Sequence, residues 1–130
     1  MNPVSAITHG IEVTVLPHYH EEMSKPSLNK FVHSYQVRIS NHSGLDVQLM
    51  SRHWIITDAN RKVRHVKGDG VIGQQPTLEP EQSHHYKSWC PMSTPVGKMS
   101  GSFTMTRMVD NSIFEVEIPE FRLIANFKNN

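Results

Sequence analysis

An all-β sandwich is the fold class this sequence predicts, and three observations carry the prediction. Apolar and polar residues alternate in segment after segment along the chain. Cβ-branched residues dominate the apolar set, with 12 Val and 9 Ile against 6 Leu and 3 Ala. Eight prolines and seven glycines cut the chain into short pieces. Branching at Cβ restricts χ1 and suits a pleated surface, whereas Ala and Leu, the stronger helix formers, are scarce. A strand with one apolar face must bury that face against a second sheet, so about eight such strands predict an antiparallel β-sandwich. The single cysteine, Cys90, rules out the inter-sheet disulfide of antibody domains. Within the immunoglobulin-like class, the fibronectin type III arrangement is therefore the closer expectation.

Each element follows in order. Ile11, Val13 and Val15 share one face of a strand over residues 11–16. The polar stretch Pro17 to Lys30 predicts a long loop, and residues 1–8 and 126–130 predict loosely held ends. Phe31, His33, Tyr35, Val37 and Ile39 make the inward face of a strand, and Asn41-His42-Ser43-Gly44 turns the chain. Val47 and Leu49 restart the alternation, which runs to Thr57. Asp58 to Arg61 closes a hairpin onto a short strand, Lys62 to Val66. Residues 78–82 form a turn, and His84 to Trp89 a strand with Tyr86 inward. Met99, Gly101, Phe103 and Met105 alternate, with Met108 expected beside them in the core. Phe114, Val116 and Ile118 form a late strand, and Phe121 and Leu123 continue past a kink at Pro119. Trp54 and Phe103 are expected in the core, and Glu115 and Glu117 on a solvated face.

Composition narrows the function. Thirteen Lys and Arg against twelve Asp and Glu give a net charge of +1, which argues against a nucleic-acid partner. No apolar run approaches the roughly 20 residues of a spanning helix, and no signal peptide is evident, so no membrane partner is expected. A lone cysteine suits a reducing compartment and excludes a cysteine zinc cluster. The chain is long enough for one domain, residues 1–130, with its core over about 10–124.

The segment from Val66 to Leu78, with Gly68, Gly70 and Gly73, resembles the glycine-rich signature of the ApaG family. Supporting blocks lie at residues 47–58, 94–101 and 114–123, in the family's order. Two positions depart from the family pattern: Pro80-Glu81-Gln82 stands where Pro-Gly-Glu is usual, and Trp89 where a small residue is usual. The resemblance implies an immunoglobulin-like or fibronectin-like sandwich and a bacterial cytoplasmic protein. It also implies a role as a protein-binding module, as in related domains of eukaryotic F-box proteins and of a polymerase-interacting protein. The family carries an association with cobalt and magnesium efflux.

Two candidate sites remain. Gly68 to Gly73 satisfies G-x-G-x-x-G, but Gln74 to Pro80 cannot form the helix whose N-terminus holds a pyrophosphate in dinucleotide folds. A nest of backbone amides at Gly68, Gly70 and Gly73, with Arg64, Lys67 and Arg52 nearby in sequence, would still hold pyrophosphate or a nucleotide. The same glycines also serve positive-φ turns and close strand approach. His18 and His20 point the same way in an extended chain and would share a metal ion; the bland alternative is a solvated polar loop. Cys90 has only Lys87 as a nearby cation in sequence, and no nucleophile elbow occurs, so no enzyme activity and no cofactor are expected. The leading expectation is a non-catalytic module for a protein partner, with pyrophosphate or nucleotide binding as the alternative; a homodimer is a further expectation.

Overall fold

Nine strands pair into two antiparallel sheets in the computed structural model, which describes residues 2–125. In order they are β1 (Val4–Thr8), β2 (Ile11–Tyr19), β3 (Phe31–Asn41), β4 (Val47–Asp58), β5 (Val63–Asp69), β6 (Thr77–Leu78), β7 (Ser83–Met92), β8 (Val96–Arg107) and β9 (Ile113–Ile124). One sheet runs β1-β2-β3-β7, the other β5-β4-β8-β9 with β6 against β4. This is the sandwich that the alternation predicts. The inward faces meet in a core containing Val13, Ile39, Leu49, Met99, Phe103 and Leu123, all 0–1% exposed. Trp54 and Phe103 are both in it, and Glu115 and Glu117 stand outside on β9.

Four readings of the chain change. Residues 4–8 are not loose: β1 pairs with β2 along its whole length, because Ser5 and Thr14 lie opposite and share a 2.8 Å hydroxyl hydrogen bond. The expected loop at residues 17–30 begins later, since β2 runs through Pro17, His18 and Tyr19 paired with Tyr35, Ser34 and His33. Only two single 3₁₀ turns, Glu21–Met23 and Pro26–Leu28, remain of it. Met108 lies past the end of β8 and is 45% exposed, so it does not fill the core. The strand after the Asp58 turn extends to Asp69, which puts Gly68 inside β5 rather than in a loop. The readings for residues 126–130 lie outside the described residues.

Two bulges explain where the alternation changes phase. In β4 the inward residues pass from odd numbers, Val47 and Leu49, to even ones, Arg52, Trp54 and Ile56. Pairing with β8 steps from Leu49↔Met105 to Ser51↔Thr104, so Met50 is the extra residue. In β9 the inward residues pass from Phe114, Val116 and Ile118 to Phe121 and Leu123. There the register steps from Gly101↔Ile118 to Met99↔Phe121, placing two residues of β9, Pro119 and Glu120, against Ser100. Proline has no N–H to give the ladder and is tolerated at such a bulge, so β9 stays one strand.

The two long seams of the sandwich differ. On one side β1 and β2 pack against β9, and the Glu117 N–H donates to the Thr8 hydroxyl at 3.1 Å. On the other side the edge strands β5 and β7 face each other across a groove.

Candidate functional site

The groove between β5 and β7 is built by strand register. Residues opposite each other in an antiparallel pair share a face. Trp54 and Ile56 point into the core, so their partners Val66 and Arg64 point inward too, as do Arg52 and its partner Gly68. From β7, the alternation sends Tyr86, Ser88, Cys90 and Met92 inward, opposite them. Three recesses of about 450, 170 and 200 Å³ follow one another along this seam. The first shares Ile56, Arg64 and Pro91 with the second, and the second shares Tyr35, Arg52, Trp54 and Ser88 with the third.

Two guanidinium groups punctuate the groove. Arg64 reaches across from β5: its Nη2 donates to the Pro91 carbonyl at 3.0 Å and lies 3.7 Å from the Cys90 sulfur. Arg52 turns toward the glycine segment, where its Nη1 donates to the carbonyls of Asp69 and Gly70 at 3.0 and 2.9 Å. A Cβ at Gly68 would stand 2.8 Å from that same Nη1, so Gly68 is the clearance that lets Arg52 lie flat along β5. Between the arginines, the floor is aromatic, with Trp54 2% exposed and Tyr35 5% exposed, their rings 5.1 Å apart. The Trp54 Nε1–H and the Tyr86 hydroxyl are buried without a hydrogen-bond partner among the described residues. Burial, with Tyr35 close by, pushes the Tyr86 phenol well up, so it stays protonated. Burial likewise raises the Cys90 thiol despite the opposing pull of Arg64. A thiol held protonated in this way is a poor nucleophile.

The glycine segment itself is a tight turn closed on its own backbone. Gly70, Ile72 and Gly73 have φ of 61°, 46° and 72°. The Gly70 N–H donates to the Met50 carbonyl at 2.8 Å, and Val71 and Gln74 exchange N–H···O bonds of 2.8 and 3.0 Å. These amides point at the protein's own carbonyls rather than outward. Arg64 and Lys67 do not converge: Arg64 faces the groove, whereas Lys67 pairs with His53 on the outer face of the sheet. The structure therefore does not bring together the amides and the two cations that an anion nest would require.

His18 and His20 do lie side by side, their ring centroids 4.6 Å apart. Both nitrogens of His20 are engaged, Nε2 with the Ser34 hydroxyl at 2.7 Å and Nδ1 with Glu22 at 3.1 Å. Among the described residues no three His, Cys, Asp or Glu side chains are grouped to hold a metal ion. The His20 ring also lies 4.7 Å from Trp89, whose other neighbour is the Lys87 ammonium at 4.9 Å. Trp89 is 46% exposed beside the groove, on the outer face of β7.

Sequence reasoning set Arg52 among neighbours of the glycines but missed that it faces Trp54's side of the sheet and shares a groove with Arg64. The odd-to-even step of the apolar residues across Met50 was the available signal, because it puts Arg52 in phase with Trp54 and Ile56.

Fold and site together define a two-sheet β-sandwich that is sealed along one seam and open along the other, with a cationic and aromatic groove in the opening. The ApaG domain model matches residues 21–107. Protein ApaG of Brucella canis is 50% identical over 119 residues, covering 92% of this chain and 91% of that protein. The crystal structure described as the putative ApaA protein from Bordetella pertussis superposes with a TM-score of 0.85 at 44% identity, covering 88% of this chain and 92% of the other. A second X-ray structure, of a structural genomics target, matches with a TM-score of 0.83 at 37% identity, over 92% and 89% of the two chains. The chain belongs to the ApaG family.

Proposed function

We propose that this protein is a non-catalytic binding module that recognises a protein partner through the groove between β5 and β7. The observation that carries the reading is the contrast of the two seams: one is packed shut, and the other leaves Arg64 and Val66 exposed and Arg52 half-exposed above a buried aromatic floor. Arginine is enriched where binding energy concentrates, and an uncovered apolar side chain beside such a cation reads as a recognition surface. No activated nucleophile lines the groove, since Cys90 is held protonated, and this supports a binding role over an enzymatic one. The reading places the module in the cytoplasm and takes its sandwich as fibronectin-like. Any role in cobalt or magnesium efflux would run through the partner: among the described residues, no helix is long and apolar enough to cross a membrane.

Site-specific photo-cross-linking tests this. A photoreactive residue in place of Val66, at the groove, is expected to give discrete adducts with a second protein in cells. The same residue in place of Glu115, on the outer face of β9, is expected to give none. Adducts from position 115 alone, or from neither, would overturn the proposal. Pyrophosphate or nucleotide binding at Gly68–Gly73 is the alternative, favoured by the run of positive φ values there. It predicts that pyrophosphate shifts the backbone amides of residues 68–73 at low salt.

A further inference from the structure

Along the groove, the inward positions read cation, apolar, cation. Arg64 comes first, then Val66 beside Trp54, then Arg52 opposite Gly68. Arg64 stands opposite Ile56, four residues along β4 from Arg52, so the two backbone positions are about 13 Å apart. That spacing is carried into guanidinium groups engaged at separate places, Arg64 on the Pro91 carbonyl and Arg52 on the Asp69 and Gly70 carbonyls. It equals the distance between side chains four residues apart on the same face of an extended chain.

The other wall of the groove is a free strand edge. β7 pairs with β3 on one side and with no strand on the other among the described residues. Long free edges are sites where an extended segment adds as a further strand. Two features of β7 act against pairing with an identical edge. Lys87 would meet Lys87 or its neighbours, and Pro91 lacks an N–H to give. An acidic strand meets neither obstacle from Ser83 to Cys90, and it gains from the guanidinium groups facing it.

We propose that the ligand of this groove is an extended acidic segment of a partner protein, added as a strand to β7, with the pattern acid-x-apolar-x-acid. Its two carboxylates meet Arg64 and Arg52, and its central apolar side chain lies on Val66 and Trp54. Arg64 is held by a neutral carbonyl and a sulfur, and Arg52 by two carbonyls, so both keep their full charge for an incoming anion. The buried Trp54 Nε1–H, which can only donate, suits an acceptor-rich ligand. Among the described residues, the carboxylate lining this part of the groove with Arg64 is Asp58, whose Oδ1 already accepts the N–H groups of Asn60 and Lys62 at 2.8 and 3.0 Å. This inference rests on the groove being the recognition surface and adds the chemistry of what it recognises.

The probe is a capped peptide, Thr-Glu-Thr-Val-Thr-Glu-Thr, titrated into the full chain at low salt while backbone amide shifts are followed. Shifts are expected along β7 from Ser83 to Cys90 and at the Arg52 and Arg64 side chains. Replacing both Glu by Gln, or moving one Glu by a single position so that the acids fall on opposite faces, should weaken binding. The protein variant Arg64→Gln should weaken the matched peptide by about fivefold, the size of a partly exposed ion pair, while Arg64→Lys keeps part of the affinity. The proposal is overturned if the Gln peptide binds as well as the Glu peptide, or if β7 amides do not move. It is also overturned if pyrophosphate competes by moving the amides of residues 68–73. Those failures leave cross-linking from position 66 untouched, so they separate the chemistry of the ligand from the existence of the binding surface.

Discussion

The two seams of the sandwich are made from the same kinds of strand, yet one is sealed by apolar packing and the other is propped open by arginine. Along the sealed seam β1 and β2 lie over β9, and the fully buried inward residues include Val13 and Val15 on β2 and Val116 and Ile118 on β9, each 0–1% exposed, with the neutral Thr8 hydroxyl tying β1 to β9. Along the open seam the corresponding inward positions of β4 and β5 hold Arg52 and Arg64. A buried guanidinium needs partners for five donors, so neither arginine can be packed beneath a second strand without loss. Charge at an inward position thus raises the cost of closing this seam. The difference teaches that the apolar packing joining the two sheets is concentrated at the sealed seam, which leaves the open seam free for the recognition proposed above.

The largest effect is expected on the sealed seam. Ile118→Ala removes a side chain 1% exposed and leaves a cavity, which should cost about 2–5 kcal/mol in chemical denaturation. A loss below 1 kcal/mol would mean that this seam is not where the stability lies.

Acid should act on the interior between the seams. His33 is 1% exposed, and its Nε2 has no hydrogen-bond partner among the described residues. Burial, reinforced by His20, lowers its pKa from 6.5 to about 4. The folded state therefore binds this proton less readily than the unfolded chain. Its contribution is fully present above pH 6.5 and is lost as pH falls toward 4. At 1.36 kcal/mol per pH unit this amounts to about 3 kcal/mol. Denaturation of the native protein and of His33→Phe at pH 7 and pH 4.5 checks it: the variant should lose much less stability on acidification.

At the end of the open seam, Gly70→Ala should destabilise by about 1–3 kcal/mol. Its φ is +61°, and a Cβ there would stand 2.1 Å from the Gln74 carbonyl oxygen. Loss of amide-exchange protection confined to residues 68–75 would locate the damage in the turn; a neutral variant would show that the turn is not built as described.

The smallest effect on stability belongs to the open seam itself. Arg64→Gln replaces an exposed side chain and should change folding stability by less than about 0.5 kcal/mol. A large loss of stability would show that Arg64 holds the two sheets together and that the open seam is a structural joint. The contrast with Ile118 is the sharpest test of the division of labour between the seams.

Much of the fold was legible because the side-chain period of a strand is 2, and alternation alone assigns inside and outside within a segment. Phe31 to Ile39 and Phe103 to Met105 needed nothing else. The site was less legible. Lys67 lies three residues from Arg64, which on one continuous strand puts the two on opposite faces. Ending that strand at Val66 hid this, because glycine at 68 reads as a turn signal and only pairing with Arg52 shows it to be strand. β1 was missed because five residues with a single exposed Ile carry too little pattern by themselves. Its order comes from hydrogen bonds to β2.

The sequence by itself determined the class of fold and the inward residues of each uninterrupted strand, since these depend on local sterics and local period. Tertiary structure decided the rest. Bulges at Met50 and at Pro119-Glu120 shift the phase of β4 and β9, and a bulge exists only relative to the strand opposite. Which edges remain free, and so which seam stays open, depends on the order of strands in each sheet. Arg52 and Arg64 share a groove for the same reason: they lie on different strands, and only the pairing of β4 with β5 sets them on one face, about 13 Å apart.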